Sequence, residues 1–193
     1  MGNNVIPTAL NGVVIIEPQV FRDDRGFFLE SYHHQRWSDL GITVNFVQDN
    51  HSRSQRGVLR GLHYQDMSAP MAKLVRCTRG GVFDVAVDLQ VGSPTFGQWF
   101  GVELTEENNR QLFVPVGFAH GFVALSDVTD IQYKCSNFYT PPAEDAVLWN
   151  DPEIGVAWPV TDPILSQRDQ RAISLQQYQE RPAFHYRSPG VSS

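Results

Sequence analysis

No apolar run in this sequence approaches the ~18 to 20 residues that a membrane-spanning helix needs, so no helical membrane span is expected. The opening residues, Met1 to Leu10, lack a basic stretch followed by an apolar one and do not read as a secretory signal, which points to the cytoplasm. Cysteine is scarce. Cys77 and Cys135 stand far apart in segments that read as strands, without the spacing of a zinc knuckle or a redox pair, and are expected as buried thiols. Also missing are a phosphate-binding glycine loop ending in Lys-Ser/Thr, Gly-x-Gly-x-x-Gly, His-Glu-x-x-His and Gly-x-Ser-x-Gly. Their absence speaks against nucleotide hydrolysis, dinucleotide redox chemistry and serine hydrolysis. Excess positive charge is absent too: a formal charge of -6 and a pI near 5.4 disfavour nucleic acid as a partner. There is no repeat, low-complexity tract or interdomain linker. With 193 residues and 41% hydrophobic content the chain can bury one substantial core, so residues 1–193 are expected to form a single domain.

What is present is a series of ten short strand candidates: Val13 to Glu17, Gly26 to Glu30, Phe46 to Gln48, Val58 to Leu62, Met71 to Cys77, Val82 to Leu89, Phe96 to Leu104, Gln111 to Val114, Gly121 to Leu125 and Ile131 to Cys135. Most alternate with period two and are separated by glycine, proline or short polar turns. His33 to Leu40 can form two helical turns with Trp37 and Leu40 inward. So little helix leaves no room for βαβ crossovers and indicates an antiparallel sandwich or jelly roll. Gly80-Gly81 fits a hairpin turn, and Val82 to Leu89 alternates as a strand with one wet face. From about residue 141, Pro141, Pro142, Pro152, Pro159 and Pro163 break the periodicity, and the remainder reads as a wrapping arm with helical turns between Leu165 and Tyr178. Ser188 to Ser193 looks frayed.

Two histidine contexts could carry chemistry. In Arg60-Gly61-Leu62-His63-Tyr64-Gln65, strict strand alternation puts Arg60, Leu62 and Tyr64 on one face and Gly61, His63 and Gln65 on the other. On spacing alone His63 is either a hydrogen-bonded histidine at the core edge or a pocket residue. Pro115-x-Gly117-x-x-His120 makes a tight turn that delivers His120 onto a following strand. That pattern resembles the second motif of cupins, where the histidine often binds metal. The His-x-His pair of the first cupin motif is replaced here by His63-Tyr64-Gln65, which leaves the ligand shell incomplete; no metal and no cofactor is expected. Arg53, Arg56, Arg60, Lys73, Arg76 and Arg79 make the middle third basic within an acidic chain, either as a pocket for a small anion such as a diphosphate or as a solvated face.

A closer resemblance covers residues from about 13 to 169. Asp24-Arg25-Gly26-Phe27-Phe28, Phe46-Val47-Gln48-Asp49-Asn50-His51-Ser52, Gly57 to Gln65, Lys73 to Cys77, Val82 to Asp88, Ser93-Pro94-Thr95-Phe96-Gly97, Pro115 to Phe122, Tyr133-Lys134 and Leu165 to Asp169 occur in the order found in the dTDP-4-dehydrorhamnose 3,5-epimerase family, which this chain resembles. The resemblance implies a cupin-like jelly-roll β-sandwich with short peripheral helices, a homodimer, and metal-independent epimerisation of dTDP-4-dehydro-6-deoxy-D-glucose at C3 and C5. Single-centre epimerisation of a related dTDP-4-keto-deoxysugar, or a non-catalytic carbohydrate-binding cupin, are the alternatives. It further implies His63 as base with Asp169 as its partner, Tyr133 as the donor on the opposite face and Lys73 as the cation beside the enolate. Arg60 and His120 would surround sugar and diphosphate, with Arg25, Glu30, Gln48, Asn50, Tyr139, Glu144 and Arg168 as a wider nucleotide shell and Phe27 and Phe138 flanking the base. Phe138 stands where many members have tyrosine, which keeps stacking and removes one hydroxyl contact.

These residue types suit that chemistry. Removing a proton beside a ketone leaves an enolate; neutral histidine is a competent base near pH 7, and a carboxylate can fix its tautomer. A lysine at the oxygen stabilises charge that exists mainly beyond the ground state. Inversion further demands a proton from the other face.

Overall fold

The computed structural model describes residues 2–187; the expected fraying of Ser188 to Ser193 lies outside that range. Two antiparallel sheets face each other. The first has six strands in the order β1 (Asn4–Pro7), β2 (Val14–Glu17), β11 (Gln111–Val114), β7 (Lys73–Arg79), β13 (Thr129–Cys135) and β5 (Gln48–Ser54). The second has five: β10 (Trp99–Thr105), β8 (Gly81–Asp88), β12 (Phe118–Ala124), β6 (Leu59–Gln65) and β14 (Glu144–Ala146). A hairpin of β3 (Val20–Asp23) and β4 (Gly26–Leu29) stands apart, and β9 (Gln90–Val91) pairs in parallel with β15 (Phe184–His185). Helices are confined to α1 (His34–Asp39) and α2 (Leu175–Glu180), the latter started by a capping box between Ser174 and Gln177. None of the described helices is long and apolar enough to cross a membrane.

Period-two alternation sorts each strand into an inner and an outer face. The inner faces of both sheets meet in one cluster, with Val75, Cys77, Leu112, Val114 and Ile131 from the first and Val82, Ala86, Leu104, Phe118 and Phe122 from the second. The outer face of the second sheet, through Leu62, Tyr64, Val85 and Val87, is covered by Val147, Ile154, Leu175, Tyr178 and Phe184 of the C-terminal arm. Trp37 of α1 closes the outer face of the first sheet against Ile16, Leu74 and Phe113. The arm is tied down by buried Asp151, which accepts from the backbone of Glu153, Ile154 and Leu175, and by short bridges Val58–Ile164 and Val147–Ile173.

Several expectations are corrected. Gly80, at φ +69°, does not turn a hairpin: β7 pairs with β11 and β13, while β8 pairs with β10 and β12, so the chain crosses there from one sheet to the other. A corner and a hairpin both need a left-handed glycine, and their local signals coincide. Strand β8 has no wet face, because its aspartates are buried: Asp84 is 0% and Asp88 1% exposed. Asp88 is held by the hydroxyls of Ser93 and Thr95 and the backbone of Gln90, which gives the Ser-Pro-Thr-Phe-Gly segment a structural task. The strand expected at Phe46 to Gln48 begins at Gln48 and runs through a polar stretch to Ser54. Both cysteines are free and buried, as expected.

Candidate active site

Strand β6 departs from simple alternation. His63 pairs with His120 and Arg60 with Phe122, with an irregularity in register between them. Positions 120 and 122 share a face of β12, so Arg60 and His63, three apart, also share one, where strict alternation had put them on opposite faces. Glycine makes this possible: a Cβ on Gly61, at φ +142°, would lie 2.5 Å from the Gly121 Cα, and one on Gly121 would lie 2.8 Å from the Arg60 carbonyl. The two strands approach more closely here than any side chain permits.

The inner faces enclose a cavity of about 500 Å³. The second sheet contributes Leu59, Arg60, His63, His120, Phe122 and Glu144; the first contributes Ser52, Lys73 and Tyr133. The arm closes one side with Ile164, Leu165, Ser166, Arg168 and Asp169. His63 Nε2 lies 2.5 Å from Asp169 Oδ1, across 106 positions of sequence. Asp169 is oriented by Ser166, whose hydroxyl donates to Oδ2 at 2.8 Å and accepts from the Asp169 amide at 3.1 Å. Burial works to raise the Asp169 pKa, but the bond and charge of His63, the Ser166 hydroxyl and the Arg168 charge together hold it below the ordinary carboxylate range. An ionised carboxylate only accepts, so His63 donates through Nε2 and keeps Nδ1 free for the cavity.

Lys73, on β7, is half-buried, and burial pushes its ammonium pKa down against the opposing charges of Glu144 and Asp84. Tyr133 lies on the wall opposite His63, its phenol pushed up by burial despite an Asn50 hydrogen bond, so it carries its proton at neutral pH. Glu144 pairs with Arg168; burial opposes its ionisation, while Arg168 and Tyr139 outweigh it and lower its pKa.

Of the expected site residues, His63, Asp169, Lys73, Tyr133, Arg60, His120, Tyr139, Glu144 and Arg168 all line this cavity. Gln48 and Asn50 stand beside it: Gln48 donates to Asn50 and accepts from the Tyr139 amide. Phe138 is exposed near the mouth, next to Gln65. Arg25, Phe27 and Glu30 are not brought to it. Arg25 pairs with Asp23 in the β3–β4 hairpin, Phe27 is 55% exposed, and Glu30 pairs with Arg36. Of the basic cluster, only Arg60 and Lys73 reach the cavity, while Arg53 and Arg56 pair with Asp130 and Asp127 outside it. Sequence reasoning assigned no role to Ser166, although it lies within a quoted motif, nor to Ser52 and Asp84. Among the described residues no three His, Cys, Asp or Glu side chains converge to hold a metal ion.

The family profile of dTDP-4-dehydrorhamnose 3,5-epimerase matches residues 7–177. The chain belongs to the dTDP-4-dehydrorhamnose 3,5-epimerase family. A family member from Salmonella typhimurium is 55% identical over 175 residues, 90% of this chain and 96% of that one. The crystal structure of the epimerase from Legionella pneumophila in complex with dTDP-4-keto-L-rhamnose superposes with a TM-score of 0.93 at 47% identity, covering 96% of this chain and 100% of that chain. A dTDP-4-dehydrorhamnose 3-epimerase from Streptomyces niveus is 44% identical over 88% of this chain and 82% of its own. The mainly β, cupin-like jelly roll expected from the sequence is the fold of this epimerase family.

Proposed function

We propose that this chain epimerises dTDP-4-dehydro-6-deoxy-D-glucose at C3 and C5, giving dTDP-4-dehydro-L-rhamnose, with His63 as base and Tyr133 as the opposing donor. The observation that carries the reading is the His63–Asp169 pair on one wall of the cavity facing a protonated Tyr133 on the other. His63 Nδ1 takes the proton from the carbon beside the ketone, and the C–H electron pair moves into a carbon–carbon double bond as charge collects on the ketone oxygen. Lys73 stabilises that oxygen, and its lowered pKa suits it to share a proton with an enolate. Tyr133 protonates the same carbon from the opposite face and the configuration inverts. His63 returns its proton to solvent, the tyrosinate regains one, and the cycle repeats at the second carbon. Arg60 and Arg168 supply positive charge for the diphosphate, and Phe138 and Tyr139, exposed at the mouth, supply rings for the base.

Arg25, Phe27 and Glu30 have no place in this cavity within one chain. A homodimer in which the hairpin of one protomer reaches its partner would give the exposed Phe21, Phe27 and Phe28 a buried surface. Light scattering should give twice 21.8 kDa. The activity is tested by turnover in heavy water followed by reduction of the product: deuterium at both C3 and C5 with rhamnose configuration supports double inversion, whereas label at one carbon alone makes this a single-centre epimerase.

A further inference from the structure

His63 is not the only histidine in the cavity with a carboxylate behind it. His120 on β12 sits directly opposite His63 across the strand pair, and its Nε2 lies 2.9 and 3.1 Å from the two carboxylate oxygens of Asp84 on β8. Asp84 is 0% exposed and does not line the cavity. Among the described residues its carboxylate has no other hydrogen-bond partner. A buried carboxylate without compensation is costly enough that such groups are found paired.

The other carboxylates of the cavity wall are engaged, Glu144 with Arg168 and Asp169 with His63. Of the cations there, Arg60 is turned to Ser54 and neither Lys73 nor Arg168 pairs directly with Asp84, although its charge is felt at Lys73, so the group bonded to it is His120. The two histidine pairs therefore differ. Asp169 divides its hydrogen bonds between His63 and the Ser166 hydroxyl, while Asp84 turns both carboxylate oxygens to one imidazole, with Lys73 also within reach of its charge. With Nε2 tied back, His120 Nδ1 has no partner among the described residues. The carbon that His63 deprotonates is bonded to the carbonyl carbon. Directly paired residues have Cβ atoms about 5 Å apart, which sets His120 beside His63 on one face of the strand pair, one bond's reach from the carbon His63 would deprotonate.

We propose that Asp84 is a positioning residue for the epimerisation, holding His120 as an imidazolium whose Nδ1–H donates to the substrate's ketone oxygen as it takes on enolate charge. This rests on the epimerase reading above. Two donors of different kinds, Lys73 and His120, then meet the same developing charge.

Nitrogen-15 NMR of the imidazoles in the full-length protein at pH 7 tests the first half without any variant. His120 should show both nitrogens protonated, and Asp84→Asn should leave one; a neutral His120 in the parent overturns the proposal. Kinetics test the second half. Asp84→Asn should lower kcat for C5 inversion about 100-fold, the scale of one lost donor to a developing oxyanion, with KM within about threefold. His120→Gln should lose as much, and the double variant no more than either alone, because the pair acts as a unit. An Asp84→Asn enzyme turning over within about threefold of the parent, or losses that multiply in the double variant, refute the assignment. If the parent itself does not turn over the 4-keto substrate, the epimerase reading fails, and the NMR result still reports on the Asp84–His120 pair.

Discussion

Asp169→Asn isolates what the carboxylate does for His63. The replacement is nearly isosteric, keeps its bonding to Ser166 and sits at a site 2% exposed, so the fold should be little disturbed. Two losses follow. The charge-assisted bond at 2.5 Å becomes a neutral one; forfeiting about 1.5–3 kcal/mol of stabilisation of the imidazolium slows proton abstraction about 10- to 150-fold. If the amide NH₂ turns toward His63, Nε2 must accept, the ring proton moves to Nδ1, and the base is blocked. A tautomer error of that kind costs about 10⁴-fold in a serine-protease triad. The expected fall in kcat is therefore between about 10- and 10⁴-fold, with KM within about threefold because Asp169 stands behind the base. Initial rates of deuterium uptake at C5, followed by proton NMR, measure it. A folded Asp169→Asn protein within tenfold of the parent rate would refute the dyad as the catalytic base.

Tyr133→Phe removes only the phenolic hydroxyl, so in heavy water it should show exchange beside the ketone exceeding net inversion, whereas His63→Ala shows neither; wild-type inversion at C5 in the phenylalanine variant would exclude Tyr133 as donor. Gly121→Ala drives a methyl to 2.8 Å from the Arg60 carbonyl and 2.9 Å from the Gly61 Cα, which should cost about 1–3 kcal/mol by urea titration and displace His63; an unchanged midpoint would mean that β6 and β12 can separate freely. Asp130, held at about 2 chiefly by its bond from Arg53, gains from ionisation in the folded state. Its stabilisation is present above the unfolded value of about 3.9 and is lost as pH falls through about 2, so Asp130→Asn should flatten the dependence of the denaturation midpoint on pH in that window. A slope identical to the parent's would assign the acid lability elsewhere, with Asp169 and Glu144, both also lowered, the next candidates.

Strands that pack in the core were legible from their apolar residues, which repeat at period two in β13 and stand in short runs in β8 and β11. Strand β5, reading Gln-Asp-Asn-His-Ser-Arg-Ser, was missed over most of its length because its inner face, with Ser52 lining a polar cavity and Asn50 beside it, carries polar residues where a core strand would carry valine. The register irregularity at Gly61 was not readable either: two glycines on different strands lock together only once β6 and β12 are neighbours. That is why Arg60 joined His63 against the alternation rule. Asp84 looked like a solvent-facing residue for the same reason, since an Asp between valines reads identically whether it meets water or a buried imidazole. The cavity residues proposed as catalytic were picked out through ordered motifs, and the 106-residue reach from His63 to Asp169 came from family likeness rather than from any local pattern.

His63 and Tyr133 are mounted on different sheets, and what separates those sheets is neither a loop nor a hinge but the layer of side chains between them. On the proposed mechanism, the gap across which a planar enolate is handed from one proton to the other is thus a thickness, fixed by residues such as Val75 and Ile131 that pack in the core and do not line the cavity. Stereochemical fidelity in this protein becomes a mechanical tolerance. A methylene added to or removed from that layer would alter which face of the intermediate is reached first, so the ratio of inverted to merely exchanged product can be tuned from positions with no chemical function of their own.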